Sequence, residues 1–207
     1  TAEAVQAQAP VRYVNRNVND GLVSYWAFDE SIGSTIRDIA RLPDPGSPGT
    51  LSGGATLDGG EKPPPEEGLN QSNLLLNGTD GKMVVTDPSG RLNVATAFTV
   101  AAQVKRAVDD GAGVVYSSGS NAGAWYIGFG ADGRLVLGAD AQILATSTSA
   151  LPIGQWVYVF VVKDSTGAVR FYVNGAADGA GSAGTLVQPS GEKTVGGRPG
   201  DPAAPWQ

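Results

Sequence analysis

The sequence predicts an all-β protein, a two-layer sandwich or a barrel. Three observations carry this. Short runs rich in β-branched and aromatic residues recur along the chain, each bounded by turn residues. The 207 residues include 30 glycines and 13 prolines, a composition that many tight turns would use. No long stretch shows the 3.6-residue period of an amphipathic helix. The regular β-rich runs argue against disorder for most of the chain. The length suits one large sandwich carrying an N-terminal arm.

The elements follow in order. Thr1–Pro10 (TAEAVQAQAP) is small, polar and unpatterned, and reads as an arm. Val11–Val18 (VRYVNRNV) is a candidate strand with imperfect alternation, closed by a turn signal at Asn19-Asp20-Gly21. Leu22–Phe28 (LVSYWAF) is a strong strand candidate. Residues 29–60 are mostly loop, with short strands expected near Leu51 and at Ala55–Leu57. Three consecutive prolines in Glu61–Glu67 exclude a central strand there. Asn73–Leu76 and Lys82–Val85 flank a turn at 77–81. Phe98–Lys105 puts Phe98, Val100, Ala102 and Val104 on one face. Val114–Ser117, Ala124–Gly130 and Leu135–Gly138 follow, the last two as a hairpin about Asp132-Gly133, then Gln142–Ser147. Trp156–Lys163 (WVYVFVVK) is apolar on both faces, as expected near the centre of a sandwich. Val169–Val173 ends at Asn174-Gly175, the best two-residue hairpin signal in the chain. A glycine-rich stretch at 176–184 precedes a strand expected around Leu186, and Lys193–Gly196 is the last strand, before a Gly/Pro tail.

Composition also narrows function. There is no cysteine, which excludes disulfides, thiolate zinc sites and cysteine nucleophiles. There is no histidine, which removes a Ser-His-Asp triad and the commonest transition-metal ligand. Serine–lysine arrangements and paired carboxylates stay open. The net charge of -6 and the lack of any Lys/Arg cluster argue against nucleic acid as a partner. No apolar run approaches the ~20 residues that span a membrane. The chain begins at Thr1 without methionine, so a removed signal peptide or a trimmed precursor is expected.

The ordered pieces GLVSYWAFDE, LLLNGTDGKMVV, AFTVAAQVK, GVVYSSG, WYIGFGADGRLVLG, LPIGQWVYVFVVKDSTGAVRFYVNG and KTVGGRPG resemble the laminin-G-like, concanavalin-A-like jelly roll, from about Gly21 to Gly200. The turn into the strand at Gly154-Gln155-Trp156 and the hairpin at 171–175 are the most telling pieces. The resemblance implies an antiparallel two-sheet jelly roll over 21–200, with an N-terminal arm at 1–20 and a Pro-rich tail at 201–207. Trp26 and Trp156 are expected to anchor the core between the sheets. Family members usually continue into a final strand that has no counterpart here. VRYVNRNV looks like that strand, placed ahead of the domain; an ordinary N-terminal arm is the other reading, and the preferred one.

Candidate chemistry is sparse. The glucanases of this fold resemble a strand with E-x-D-x-x-E, and no such spacing occurs here. Asp109-Asp110 and Glu66-Glu67 sit in turn-like or Pro-rich contexts, so no catalytic residue is assigned and the chain reads as a non-enzyme. Relatives often hold a structural Ca²⁺. Asp29 and Asp38 match its first two positions loosely and the third has no counterpart, so turn capping is the favoured role and no cofactor or metal is assigned. For sugar stacking the candidates are Trp125, Tyr126 and Trp206, with core roles favoured for the first two. Two glycosylation sequons begin at Asn70 and Asn77. The leading functional expectation is a structural subunit of an external assembly on a virion or cell surface, binding copies of itself or other subunits. Its contacts would be Val11, Tyr13, Val14, Val18 and Trp206. The alternative is a secreted adhesion or carbohydrate-binding module with a glycan partner.

Overall fold

The computed structural model describes residues 21–40, 46–60, 71–107 and 112–198. Among these residues fourteen strands run in chain order: β1 (Thr35–Ile36), β2 (Gly49–Ser52), β3 (Thr56–Asp58), β4 (Asn73–Leu75), β5 (Lys82–Val85), β6 (Phe98–Lys105), β7 (Gly113–Ser117), β8 (Trp125–Phe129), β9 (Arg134–Ala139), β10 (Gln142–Ala150), β11 (Trp156–Lys163), β12 (Ala168–Val173), β13 (Ala176–Ser182) and β14 (Lys193–Val195). An eight-stranded sheet has the order β1-β2-β5-β14-β7-β8-β9-β10. A four-stranded sheet has the order β13-β12-β11-β6, and β3 and β4 pair by themselves. The ladders are antiparallel, as expected for a sandwich.

The core fills the space between the two large sheets. β11 contributes Val157, Val159 and Val161, β12 contributes Val169 and Phe171, and the facing sheet contributes Trp125, Ile127, Phe129, Leu135 and Leu137. The period of two in β6 is observed: Val104 is buried in this cluster, while Phe98, Val100 and Ala102 pack against it. Trp125 stacks on Phe98 at 3.9 Å between ring centroids and 7° between planes, a contact contributing about 1 kcal/mol beyond burial. Its indole N–H donates to the Val94 carbonyl at 2.7 Å, so no polar atom of the ring is stranded. Asn174-Gly175 turns as expected, with φ of 49° and 81°, which only residues tolerant of left-handed backbone supply cheaply.

Four expectations need correction. Leu22–Phe28 does not join a ladder among the described residues; it makes one isolated bridge, Trp26 to Asp38. The Tyr25 N–H is captured by the Asp38 carboxylate at 2.9 Å, and Phe28 adopts a φ of 57°, which ends extended backbone. Leu186 is not in a strand; the glycine-rich segment before it is, as β13. Small residues let β13 press against β10: a Cβ on Gly181 would sit 2.8 Å from that of Ala145, and one on Gly179 2.9 Å from Thr148 Oγ1. Trp156 does not enter the core, because the register that buries Val157, Val159 and Val161 turns it outward opposite Lys105. Trp26 does serve as an anchor, touching both main apolar clusters and donating to the Ser47 carbonyl at 2.8 Å. Finally, β11 is not buried on both faces, since its outward residues are only partly covered.

Candidate functional site

The outward face of the four-stranded sheet carries an aromatic group. Alternation along β11 sends Val157, Val159 and Val161 inward and Trp156, Tyr158 and Phe160 outward. Tyr158 is 42% exposed, unusual for a ring on a central strand. Phe160 stands against it edge-on, with centroids 4.4 Å apart and planes at 71°. Across the ladder Phe160 faces Tyr172 of β12 on one side and Ala101 of β6 on the other, and Tyr158 faces Gln103. Tyr25, 50% exposed, lies close enough to Tyr158 for the two phenols to influence each other's charge. Burial raises the Tyr25 pKa above the ordinary phenol value, Asp29 and Tyr158 add to it, and the ring stays neutral at physiological pH. The Asn174 side-chain oxygen accepts from the Tyr158 N–H at 2.9 Å and fixes the strand beneath the ring. Such an array of partly exposed rings beside amide and hydroxyl groups (Gln103, Thr99) can stack on apolar ring faces and hydrogen-bond hydroxyls around them.

The sequence-derived sugar candidates take other places. Trp125 is 1% exposed and belongs to the core. Tyr126 is 8% exposed on the outward side of the eight-stranded sheet, in a small cluster with Val114 and Val136. The Arg198 guanidinium lies 3.6 Å above its ring. Trp206 and the assembly residues Val11, Tyr13, Val14 and Val18 lie outside the described residues, as do Asp109-Asp110, Glu66-Glu67 and Asn70. The Asn77 side chain is engaged throughout: its oxygen accepts from the N–H groups of Thr79, Asp80 and Gly81, and its NH₂ donates to Gly53 and Asp80.

Asp29, Asp38 and Asp87 are engaged by the chain itself. Asp38, 2% exposed, accepts from Ser24 Oγ, Tyr25 N, Ala40 N and Ser47 N. Burial pushes its pKa up, but these four hydrogen bonds outweigh burial and hold the carboxyl below the usual carboxylate range. Asp29 accepts from Gln71 N. Asp87 accepts from Ser47 Oγ and from the N–H groups of Arg91 and Leu92, and forms a buried ion pair with Lys193 at 3.5 Å. Asp38 and Asp29 therefore act as loop staples where they are seen. Among the described residues no cluster of three or more His, Cys, Asp or Glu side chains could hold a metal ion. No described helix is long and apolar enough to cross a membrane. An open cavity of about 410 Å³ lies between Ser31–Ser34 and Leu51–Leu57, lined by hydroxyls and aliphatic groups without a titratable side chain.

Sequence reasoning missed the outward aromatics because it read WVYVFVVK as uniformly apolar. The signal was present: the rings fall at 156, 158 and 160 and the valines at 157, 159 and 161, so period two separates a stiff aliphatic face from an aromatic one. Tyr25 and Tyr172 join them only through tertiary pairing.

Comparison with solved structures finds the same fold in several proteins. Domain 4 of an extracellular arabinanase from Geobacillus stearothermophilus, solved in complex with arabinotriose, is similar with a TM-score of 0.64 and 21% identity over 89% of this chain and 87% of that one. A botulinum neurotoxin type C structure, described for a cell entry dependent on two ganglioside molecules, is similar with a TM-score of 0.58 and 15% identity over 87% of this chain. The binding domain of Paraclostridial Mosquitocidal Protein 1 is similar with a TM-score of 0.56 and 15% identity over 86% of this chain. The chain spans less than half of these toxin chains, 44% and 47% respectively. At these identities the likeness is one of fold. Comparison with curated proteins gives no match. Residues 77–207, more than half of the chain, match the laminin-G-type model of the concanavalin A-like lectin/glucanases superfamily, and the chain belongs to that superfamily.

Proposed function

We propose that this chain is a non-catalytic carbohydrate-binding module acting outside the cell. The observation that carries the reading is the outward aromatic face of β11 and β12, where Tyr158 is 42% exposed on the sheet and the half-exposed Tyr25 of the preceding loop stands beside it. Large exposed apolar groups on a rigid strand mark interaction surfaces. The similar arabinanase domain bound to arabinotriose, matched over nearly its whole length, supports glycan as the ligand class. The buried carboxylates Asp38 and Asp87 are both engaged by hydrogen bonds from the chain, which argues against either serving as a glycosidase acid or nucleophile. The test is a glycan array and polysaccharide affinity electrophoresis with the whole chain. Retardation by at least one polysaccharide, without any release of reducing sugar, is the expected outcome. Absence of binding across the array sinks the reading.

A second reading is an assembly subunit that accepts a strand from a neighbour. It draws on one observation: β6, eight residues long, ends the four-stranded sheet among the described residues. An open edge of that length is a template for another strand, and Val11–Val18 is the candidate donor. Deleting residues 1–18 and measuring mass in solution tests it. Loss of oligomers with an intact fold supports the reading, and unchanged mass removes it.

A further inference from the structure

The charge and spacing of the aromatic face carry a more specific statement, which rests on the carbohydrate-binding reading above. We propose that its ligand is a neutral, linear polysaccharide engaged over at least two consecutive sugar units, with the Tyr158 ring as the principal contact.

Spacing comes first. Residues two apart on a strand are separated by roughly 6.7 Å, and neighbouring strands by about 4.8 Å. The Tyr158 and Phe160 backbones stand one such step apart along β11, but their rings lean together to 4.4 Å between centroids, with Tyr172 opposite Phe160 one strand to the side and Tyr25 beside Tyr158. The Tyr158–Phe160 pair alone matches one sugar ring, and the row of four from Tyr25 to Tyr172 extends beyond it and suits a chain. The groups bordering Phe160 and Tyr172 are small: Ala101 lies opposite Phe160, and Ala177 opposite Tyr172. They leave Phe160 and Tyr172 partly exposed beside the more open Tyr158. Phe160 acts as a positioning residue, since its edge-on contact fixes the angle at which Tyr158 meets solvent.

Charge then selects the ligand class. The centre of the face (Gln103, Ala101, Tyr158, Phe160 and Tyr172) holds no ionised group. The two outward cations stand at opposite ends of β11, Lys105 opposite Trp156 and Arg170 opposite Val162. Arg170 is already matched by Asp164 at 3.6 Å. At Tyr25 two carboxylates stand close, Asp29 beside the phenol and Asp38 on the backbone N–H, and the whole chain carries -6. A polyanionic glycan would need a cluster of unmatched Lys and Arg and would meet repulsion here. A neutral chain meets neither obstacle.

The test is affinity electrophoresis of the whole chain at low and high salt. The gels contain neutral polysaccharides (arabinan, xylan, galactomannan) or acidic ones (polygalacturonate, chondroitin sulfate). Wild type is compared with Tyr158→Ala and Phe160→Leu, after thermal melts show that both fold. The expected result is retardation by a neutral polymer that salt leaves unchanged. Tyr158→Ala should lower affinity at least tenfold and Phe160→Leu by a smaller factor, and oligosaccharides should compete far better than monosaccharides. Retardation by acidic polymers alone, fading with salt, overturns this inference and leaves the carbohydrate-binding reading standing. Neutral binding undiminished in Tyr158→Ala overturns the placement of the site. Binding to no polymer overturns the broader reading itself.

Discussion

The two sheets treat their outward aromatic residues in opposite ways. On the eight-stranded sheet, Tyr126 packs with Val114 and Val136 under the Arg198 guanidinium and is 8% exposed. On the four-stranded sheet, Tyr158 stands with Phe160 and is 42% exposed. Both lie on central strands and both face away from the core. Coverage separates them, and coverage assigns their roles. A ring already sealed by its own chain contributes to stability, whereas a ring left open on a rigid strand is available to a partner.

Substitutions separate the two surfaces. The largest effect belongs to the core that both sheets share. Phe171→Ala removes a fully buried ring and should cost about 3–5 kcal/mol in chemical denaturation. Tyr126→Ala should cost about 3 kcal/mol and leave glycan binding intact, while Tyr158→Ala should cost less than about 1 kcal/mol and abolish most binding. Equal stability losses in the two would break the contrast. Asp38→Asn should cost about 2–3 kcal/mol, because an NH₂ group would face donors that now meet a carboxylate oxygen. The pH dependence has a definite sign. The folded Asp38 pKa lies below its ordinary value of 3.8, so its contribution is fully present above about pH 4. It is lost as pH falls through the lower folded value, and acid titration of Asp38→Asn should show a flatter profile in that window. The smallest effect is Arg198→Ala, about 0.5–1 kcal/mol from the lost cation–π contact, with Tyr126 becoming more accessible to solvent.

Much of the fold was legible in the sequence and the site was not. β11 spans Trp156–Lys163 as its composition predicts, and β12 and the Asn174-Gly175 turn follow from the same local rules. Those elements are specified by residues that are neighbours in sequence. Two misreadings came from interactions that are not. Leu22–Phe28 has strand composition, yet its backbone donor at Tyr25 is taken by Asp38, thirteen residues away. The segment 176–182 has almost no strand propensity, yet it forms a strand whose small residues fit against β10, which lies far earlier in the chain. For the site, alternation of ring and valine was visible in WVYVFVVK. Which of the two faces would remain uncovered depends on the packing of the other sheet, and no local pattern reports that.

The seam between β13 and β10 has a consequence for how this chain can change. Where Gly181 lies against Ala145 and Gly179 against Thr148, there is no room for even one added methyl group without movement. Tolerance along that seam is thus governed by bulk and hardly at all by polarity. A swap among Gly, Ala and Ser would pass at the roomier positions, while a larger residue would wedge the layers apart. Sequence drift is channelled toward the opposite flank of the small sheet, where Thr99, Ala101 and Gln103 stand in the open and new side chains could retune a ligand without disturbing the layers.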